Sequence, residues 1–96
     1  MSVYVDPLFD TEGWSENWPY PQACHMMADS YEELIEFALK LKLKVSWIQC
    51  TSLLHFDLTK NKRFHAIKLG AKEVDERFRP INYKQQVIDY NKRFSK

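Results

Sequence analysis

The sequence predicts an α/β fold, with a small, mainly parallel sheet of three strands in the order β-α-β-α-β and a C-terminal helix. Short β-prone runs alternate with amphipathic segments that carry helix-capping residues, and 96 residues allow only one modest core. Strands separated by helices pair in parallel through right-handed crossovers. We assign residues 1–76 to the core domain and residues 77–96 to a helical extension.

The first strand is predicted at Val3–Val5, because Asp6 and Pro7 end that β-prone run and proline cannot continue a ladder. Residues 9–23 show neither a period of two nor one of 3.6, and glycine and proline interrupt them. We predict a long loop there, of the kind that often forms a functional lid. Its aromatic residues are Trp14, Trp18 and Tyr20.

Ser30 and Glu33 form a capping box, which predicts the start of the first helix. Apolar residues then recur at helical spacing through about Lys42, so this helix is amphipathic. The β-prone run at 45–49 predicts the second strand.

Thr59 is the predicted N-cap of a second helix over residues 60–69, and Gly70 suits the left-handed position beyond its last turn. A third strand is predicted at 71–75. Asn82 begins the capping pattern of the terminal helix. We expect one apolar side of that helix to pack on the domain or on a partner, either a second copy or another protein; this side consists of Tyr83, Val87, Tyr90 and Phe94.

The net charge of +1 conceals a strong asymmetry along the chain. Residues 1–59 have three lysines and nine acidic residues, a net charge of −6, whereas residues 60–96 have eleven basic and four acidic residues, a net charge of +7. The two halves either attract each other within one small fold or present the basic cluster to a phosphate-bearing ligand or nucleic acid. That cluster is Lys60, Lys62, Arg63 and Lys68.

Several functional classes are excluded or disfavoured by composition. With only two glycines, the chain has no Gly-rich loop of the P-loop or dinucleotide-binding type. No apolar run approaches the roughly 20 residues needed to span a bilayer, and no signal peptide is recognisable. Two cysteines without C-x-x-C spacing indicate reduced thiols, so we expect a cytoplasmic protein that does not act on membranes.

Polar residues adjoin the predicted strands and helix starts. In an open parallel sheet, ligands bind beyond the carboxyl ends of the strands, where helix amino termini also point. The topology therefore predicts one polar pocket, although turn formation and helix capping would account for single members of the set. The residues are Asp6, His25, Asp29, Gln49, His55, Asp57 and Asp75.

His55 and Asp57 are separated by two positions, which in an extended segment places them on the same side. Together with His25 they are our candidate catalytic residues and metal ligands, with Asp6 as a further carboxylate. Such a set suits Zn²⁺, Mn²⁺ or Fe²⁺, so a divalent metal is the one cofactor that we consider. The alternative is that they are hydrogen-bonded turn residues. His65 is predicted to lie on a solvated helix face.

Lys62 and Arg63 fall in the first turn of the second helix, where cations are unfavourable unless an anion lies nearby. They either contact a phosphate or pair with acidic residues of the other half of the chain. The loop aromatics either stack on a base or close the end of the core. Cys24 lies beside His25, but adjacency in sequence does not give the geometry of a nucleophile and base. The predicted ligand-binding residues are Asp6, Asp29, Trp47, Gln49, Lys62 and Arg63.

Four ordered motifs in residues 2–75 resemble a family of short bacterial and phage proteins that is known only as a domain of unknown function. They are V-Y-V-D at 3–6, C-H-M-M-A-D at 24–29, H-F-D-L-T at 55–59 and A-I-K-L-G-A at 66–71. Many members of that family resemble one another in having a tryptophan just before the Cys-His pair, where this chain has Ala23. They also have a longer insertion before the H-aromatic-D segment. The resemblance implies no reaction. It singles out Asp6, His25, Asp29, Trp47, Gln49, His55, Asp57, Arg63 and Gly70.

Our leading hypothesis is a polar His/Asp pocket that handles a phosphate-containing small molecule or nucleotide with the help of a divalent metal. The alternative is a non-enzymatic interaction protein, such as a phage-encoded inhibitor or sequestering factor, that acts through the terminal helix at 83–94 and the aromatic loop. Nucleic-acid binding through the basic half ranks last, because no groove-reading motif is present.

Overall fold

A mixed, mostly antiparallel sheet forms the centre of the computed structural model, which describes residues 2–14 and 18–94. Within these residues the strands are β1 (Val3–Val5), β2 (Phe9–Asp10), β3 (Gln22–Ala28), β4 (Gln49–Cys50), β5 (Leu54–Leu58) and β6 (Lys72–Glu73). The helices are α1 (Tyr31–Lys40), α2 (Lys60–Lys68) and α3 (Tyr83–Phe94). Residues 15–17 of the predicted aromatic loop and residues 95 and 96 of the predicted extension lie outside the described part.

The expected parallel sheet of three strands is wrong. The strand order is β4-β5-β3-β1-β6, and β2 pairs separately with β3. Strand β3 runs antiparallel to β1, β2 and β5, and β5 runs antiparallel to β4. Among the described strands only β1 and β6 pair in parallel. The protein is thus α/β only in the general sense that helices and a mixed sheet share one fold.

The error arose because the two central strands, β3 and β5, were absent from the prediction. Strand β3 has the sequence QACHMMA, in which five of seven residues are buried and apolar residues fall on both faces. A strand buried on both faces lacks the alternation that identifies a half-exposed strand, and alanine and methionine have little β-preference. Strand β5 does alternate, through Leu54, Phe56 and Leu58, but the sequence analysis assigns no strand to this extended segment.

The second predicted strand is also displaced. Val45–Trp47 forms a single 3₁₀ turn, and β4 begins only at Gln49. All three residues of the turn are exposed, so their β-preference is not supported by packing. The consequence is that Trp47 lies at the surface beside the sheet instead of within it.

The helices and their caps agree closely with expectation. The Ser30 hydroxyl accepts a hydrogen bond from the Glu33 N–H at 3.2 Å and donates one to the Glu33 carboxylate at 3.0 Å. The Thr59 hydroxyl accepts from the Lys62 N–H at 3.2 Å, and Gly70 follows α2 with a φ of 111°. These signals are local in the chain, so they do not depend on how the strands pair.

The two faces of the sheet differ in polarity. Alternate residues of the three longest strands form the core with α1 and α2; on the strands they are Val3, Val5, Cys24, Met26, Ala28, Leu54, Phe56 and Leu58. The residues between them project from the opposite face and include His25, His55 and Asp57. The fold therefore separates an apolar core from a polar face on the same strands.

Helix α3 packs on the start of α1 in the same chain. The Tyr31 ring lies 5.9 Å from the Tyr90 ring and 5.7 Å from the Phe94 ring, measured between centroids. The buried Gln86 amide donates to the Ala28 carbonyl at 2.8 Å. Part of the predicted apolar side of this helix thus packs against α1 of the same chain. The domain boundary at residue 76 stays a prediction. None of the described helices combines the length and the apolar character that crossing a bilayer requires.

Candidate metal centre

The candidate metal centre is built on the two strands in the middle of the sheet. In the antiparallel pair β3 and β5, His25 lies directly opposite Asp57. His55 precedes Asp57 by two residues on β5, so both side chains project from the same face. Gln49 of β4 lies directly opposite His55. Cross-strand and diagonal neighbours on one face of a sheet contact each other, so the register brings four polar side chains together.

Asp6, which follows β1, fixes His25 at two points. Its Oδ1 atom accepts a hydrogen bond from the His25 main-chain N–H at 2.6 Å, and its Oδ2 atom lies 2.7 Å from Nδ1 of the ring. Asp6 is only 3% exposed, and its own N–H donates to the His25 carbonyl at 3.2 Å. With the carboxylate oxygen as acceptor, Nδ1 of His25 is the donor, and in the neutral form of the ring Nε2 carries the lone pair.

His55 has the same tautomer for a different reason. Its Nδ1 atom lies 2.8 Å from the Leu53 carbonyl oxygen, which can only accept, so Nδ1 is the donor and Nε2 is free to bind a metal. His55 is buried, and its ring meets the His25 ring edge-on with 4.8 Å between centroids. Hydrogen bonds from Nδ1 to a carboxylate or a backbone carbonyl are the usual support of metal-binding histidines.

Asp57 supplies the third donor group. Its Oδ1 atom lies 3.5 Å from Nε2 of His55, while its Oδ2 atom accepts a hydrogen bond from the Gln49 side-chain amide. The two carboxylate oxygens are therefore distinguished, with one held by the amide and the other directed at the histidines. Gln49 acts on the centre by orienting Asp57.

The donor atoms of His25, His55 and Asp57 all lie within 4.8 Å of one another. Zinc bonds to nitrogen and oxygen are about 2.0–2.2 Å long, so in a tetrahedral site the donors stand roughly 3.4 Å apart. Binding would thus require the donor atoms to approach one another by up to about 1.4 Å. Two imidazoles and one carboxylate leave further coordination positions open, which is the pattern of catalytic rather than structural sites.

A groove of about 960 Å³ opens beside this centre and shares Asp57 and Gln49 with it. The first turn of α2 forms one wall, and the loop between β2 and β3 forms another. Trp47 of the 3₁₀ turn also lines it. The loop is tied at its base by Thr11, whose hydroxyl donates to the Tyr20 carbonyl at 2.6 Å. The groove residues from the loop are Trp14, Trp18, Pro19, Tyr20 and Pro21, and Gln22 at the start of β3 also lines it.

Lys62 and Arg63, which are the predicted anion contacts, both donate hydrogen bonds to main-chain carbonyls of the protein. Lys62 Nζ donates to the Leu41 carbonyl at 2.6 Å but still lines the groove. Arg63 Nε donates to the Asp6 carbonyl at 2.8 Å, and its Nη2 atom lies 3.3 Å from a Glu73 carboxylate oxygen. Arg63 thus supports the segment that carries Asp6, and its role as an anion contact stays a prediction.

Asp29 lies at the other end of β3 and does not join the cluster. Its carboxylate accepts hydrogen bonds from the Ser2 N–H at 2.8 Å and from the Tyr4 hydroxyl at 2.9 Å. Partial burial, and then the Asp29 carboxylate, raise the pKa of Tyr4. Four residues along a strand correspond to about 13 Å, which separates Asp29 from His25. Asp29 therefore fixes the start of the chain to the end of β3.

The thiol beside His25 points away from the centre. Cys24 is fully buried on the core face of β3, whereas His25 projects from the opposite face. Burial, and secondarily the negative charge of Asp6, raise the pKa of the Cys24 thiol to about 12. A thiolate is the reactive form, so the structure disfavours Cys24 as a nucleophile.

We predict that Cys24 resists alkylation in the folded protein. With a pKa of about 12, only about one thiol in ten thousand is ionised at pH 8, and burial also blocks the reagent. In a Cys50→Ser variant, iodoacetamide at pH 8 should leave the mass of the native protein unchanged and add one group after denaturation. An adduct formed at a comparable rate on native protein would contradict this assignment.

Several residues at or beside the groove could not be assigned to it from the sequence. Thr59 and Asn61 at the start of α2 line it, as does the exposed His65, and Phe9 of β2 packs against His25 with 5.0 Å between ring centroids. The available signal was the alternation of Leu54, Phe56 and Leu58, which identifies β5 and leads directly into the capped helix. The contact between His55 and the Leu53 carbonyl could not be predicted from sequence, because every residue has a main-chain carbonyl.

Comparison with known proteins gives one result. The family model "Protein of unknown function (DUF4031)" matches residues 3–85, which is most of the chain and includes all the residues of the candidate centre. Searches of curated proteins and of solved structures gave no match. The predicted resemblance to a domain of unknown function is confirmed, and the match extends beyond residue 75 into α3. The chain belongs to the DUF4031 family.

Proposed function

We propose that this protein binds one divalent metal ion through His25, His55 and Asp57 and uses it to hydrolyse a phosphate-containing small molecule in the adjacent groove. One observation carries the proposal. Two imidazoles whose Nδ1 atoms are already engaged present their Nε2 atoms beside a carboxylate oxygen, with the donor atoms of the three residues within 4.8 Å of one another.

The arrangement leaves a place for a metal ion. Hydrogen bonding satisfies both Nδ1 atoms, and among the described residues the Nε2 lone pairs of His25 and His55 have no hydrogen-bond donor. Neither Nε2 atom is sealed from solvent, so both are accessible to a ligand. A metal cation would satisfy both lone pairs and the Oδ1 atom of Asp57 together.

The chemistry would follow from the open coordination positions. A metal with three protein ligands binds a water molecule, lowers its pKa toward about 7 and polarises a phosphoryl oxygen. Attack of the hydroxide on phosphorus forms one P–O bond and breaks the ester bond, and the alcohol leaves after it takes up a proton from solvent. The chain contributes by holding Asp57 through Gln49 and His25 through Asp6.

The start of α2 supports a phosphate ligand. Asp57 lies three residues before Lys60, the first residue of the helix, so the metal centre and the helix amino terminus adjoin. The first amide groups of a helix have no intrahelical acceptor and carry a partial positive charge, which favours anions. Lys60, Asn61 and Lys62 line the groove at that point. These groups would stabilise the charge that develops on the phosphoryl oxygens.

The test begins with the purified protein freed of metal by EDTA and dialysis. We expect calorimetric titration with Zn²⁺, Mn²⁺ or Co²⁺ to show one site per chain. We also expect the loaded protein to hydrolyse bis(p-nitrophenyl) phosphate at least about 10-fold faster than metal alone, because even a single bound metal lowers the pKa of water strongly. Chelation should abolish this activity and metal should restore it.

Asp57→Asn should remove the activity, since an amide is a poor metal ligand. His65→Asn is the matched control for metal binding, because it removes an imidazole that lies outside the cluster. Absence of stoichiometric binding by all three metals would overturn the metal centre. Stoichiometric binding without metal-dependent hydrolysis of any phosphate ester would retain the centre and overturn the hydrolytic role.

A further inference from the structure

The groove is larger than a phosphate group requires. Its volume of about 960 Å³ is near the upper end of typical small-ligand pockets, which run from about 300 to 1,000 Å³. Asp57 and Gln49 of the candidate centre and the start of α2 form only part of its lining. The remaining walls should therefore reveal what the substrate carries besides its phosphate.

Those walls contain exposed indole rings. Trp14 is 40% exposed and Trp47 is 54% exposed, although both belong to a residue type that is usually well buried. They approach the groove from different parts of the chain, Trp14 from the loop between β2 and β3 and Trp47 from the 3₁₀ turn. Contiguous exposed apolar surface at a groove is a feature of ligand-binding and interaction sites.

The aromatic surface is continuous with the metal centre. Phe9 packs on His25 at 5.0 Å between ring centroids, Trp14 on Phe9 at 5.7 Å, and Trp18 on Trp14 at 5.6 Å. Tyr20 extends the series at 5.3 Å from Trp18. Contacts of this kind hold Trp14 in place before any ligand arrives, which lowers the entropy lost on binding.

Positive charge faces the same space. Lys60 makes no ion pair with any described residue, and Lys62 is anchored to Leu41 through one of its three N–H donors. The Lys44 ammonium, which does not line the groove, lies 5.7 Å from the centre of the Trp47 ring. Anion-binding groups and flat aromatic surfaces in one groove match a ligand that has both a phosphate and a planar ring.

We infer that the substrate class is a nucleotide, whose base stacks on Trp14 or Trp47 while its phosphate reaches the metal centre and the start of α2. This inference rests on the proposed function for the position of the phosphate, but the stacking surface exists independently of the metal. A free nucleotide and the end of a single strand share this chemistry, and binding affinity distinguishes them.

The experiment compares ligands that differ only in the base. Calorimetry on the Zn²⁺-loaded protein should show adenosine 5′-monophosphate binding at least about 5-fold more tightly than ribose 5-phosphate, because base stacking contributes about 1–3 kcal/mol. At least one of Trp14→Leu and Trp47→Leu should weaken the nucleotide about 5- to 150-fold and leave ribose 5-phosphate and Zn²⁺ affinities unchanged. Phe64→Leu, an exposed aromatic residue outside the groove, is the control.

Equal affinity for the two phosphates, or a nucleotide affinity that neither tryptophan substitution changes, would overturn the inference. Tryptophan-dependent nucleotide binding in a protein that binds no metal would overturn the proposed function and leave this inference standing. Tighter binding of a short oligothymidylate than of thymidine 5′-monophosphate would identify a single strand as the source, and equal or weaker binding would identify the free nucleotide.

Discussion

His55→Asn should abolish the stabilisation of this protein by Zn²⁺. At a free Zn²⁺ concentration 100-fold above its dissociation constant, the wild-type protein should gain about 2.7 kcal/mol of stability. For a domain of this size that corresponds to a rise of roughly 10–20 °C in Tm. The variant should show no such rise, because loss of a direct ligand weakens binding by more than the about 10- to 100-fold known for supporting residues.

Asparagine is chosen because its amide nitrogen can occupy the position of Nδ1. It can still donate to the Leu53 carbonyl, so the hydrogen bond that holds the buried side chain is kept while the metal-binding Nε2 atom is lost. The measurement is thermal unfolding followed by circular dichroism, with and without Zn²⁺. His65→Asn removes an exposed histidine outside the cluster and should retain the full rise. An equal rise in His55→Asn would exclude His55 as a ligand.

The helices could be predicted from sequence, while the direction of the strands could not. Capping by Ser30 and Thr59 and termination at Gly70 depend on residues within a few positions of one another. Strand pairing depends on contacts such as that of Cys24 with Leu58, which are far apart in the chain. Once the buried strand β3 was overlooked, the order of the remaining elements favoured parallel pairing.

The residues of the candidate centre could be predicted from sequence. The physical reason behind that prediction, however, differs from the reason why these residues lie together in the structure. A parallel sheet would have gathered them at the ends of strands. The antiparallel register instead sets His25 opposite Asp57 and Gln49 opposite His55 in the interior of the sheet. The spacing of His55 and Asp57 implies the same face in either topology, because that alternation belongs to any extended chain.

The support of His25 could not be derived from sequence, since Asp6 is 19 positions away and meets it only through strand pairing. It nevertheless leads to a sharp prediction, because the Asp6 carboxylate has two roles. One oxygen accepts from the His25 main-chain N–H, and the other accepts from the ring Nδ1–H. The second bond decides which ring nitrogen carries the proton, and therefore whether Nε2 can bind a metal.

Asp6→Asn should lower the affinity for Zn²⁺ by about 10- to 100-fold, although the substitution changes only one heavy atom. The main-chain N–H of His25 can only donate, so the amide oxygen must face it and the amide N–H₂ must face Nδ1. The ring would then have to accept at Nδ1 and carry its proton on Nε2, which is the tautomer that cannot bind metal. Calorimetry measures the affinity, and nitrogen chemical shifts of the histidine rings report the tautomer.

Asp6→Ala is the comparison, because it should cost about 1–3 kcal/mol in unfolding free energy by leaving a buried N–H without an acceptor, whereas Asp6→Asn keeps that bond. Unchanged Zn²⁺ affinity in Asp6→Asn, with the proton still on Nδ1, would show that Asp6 does not set the tautomer of His25.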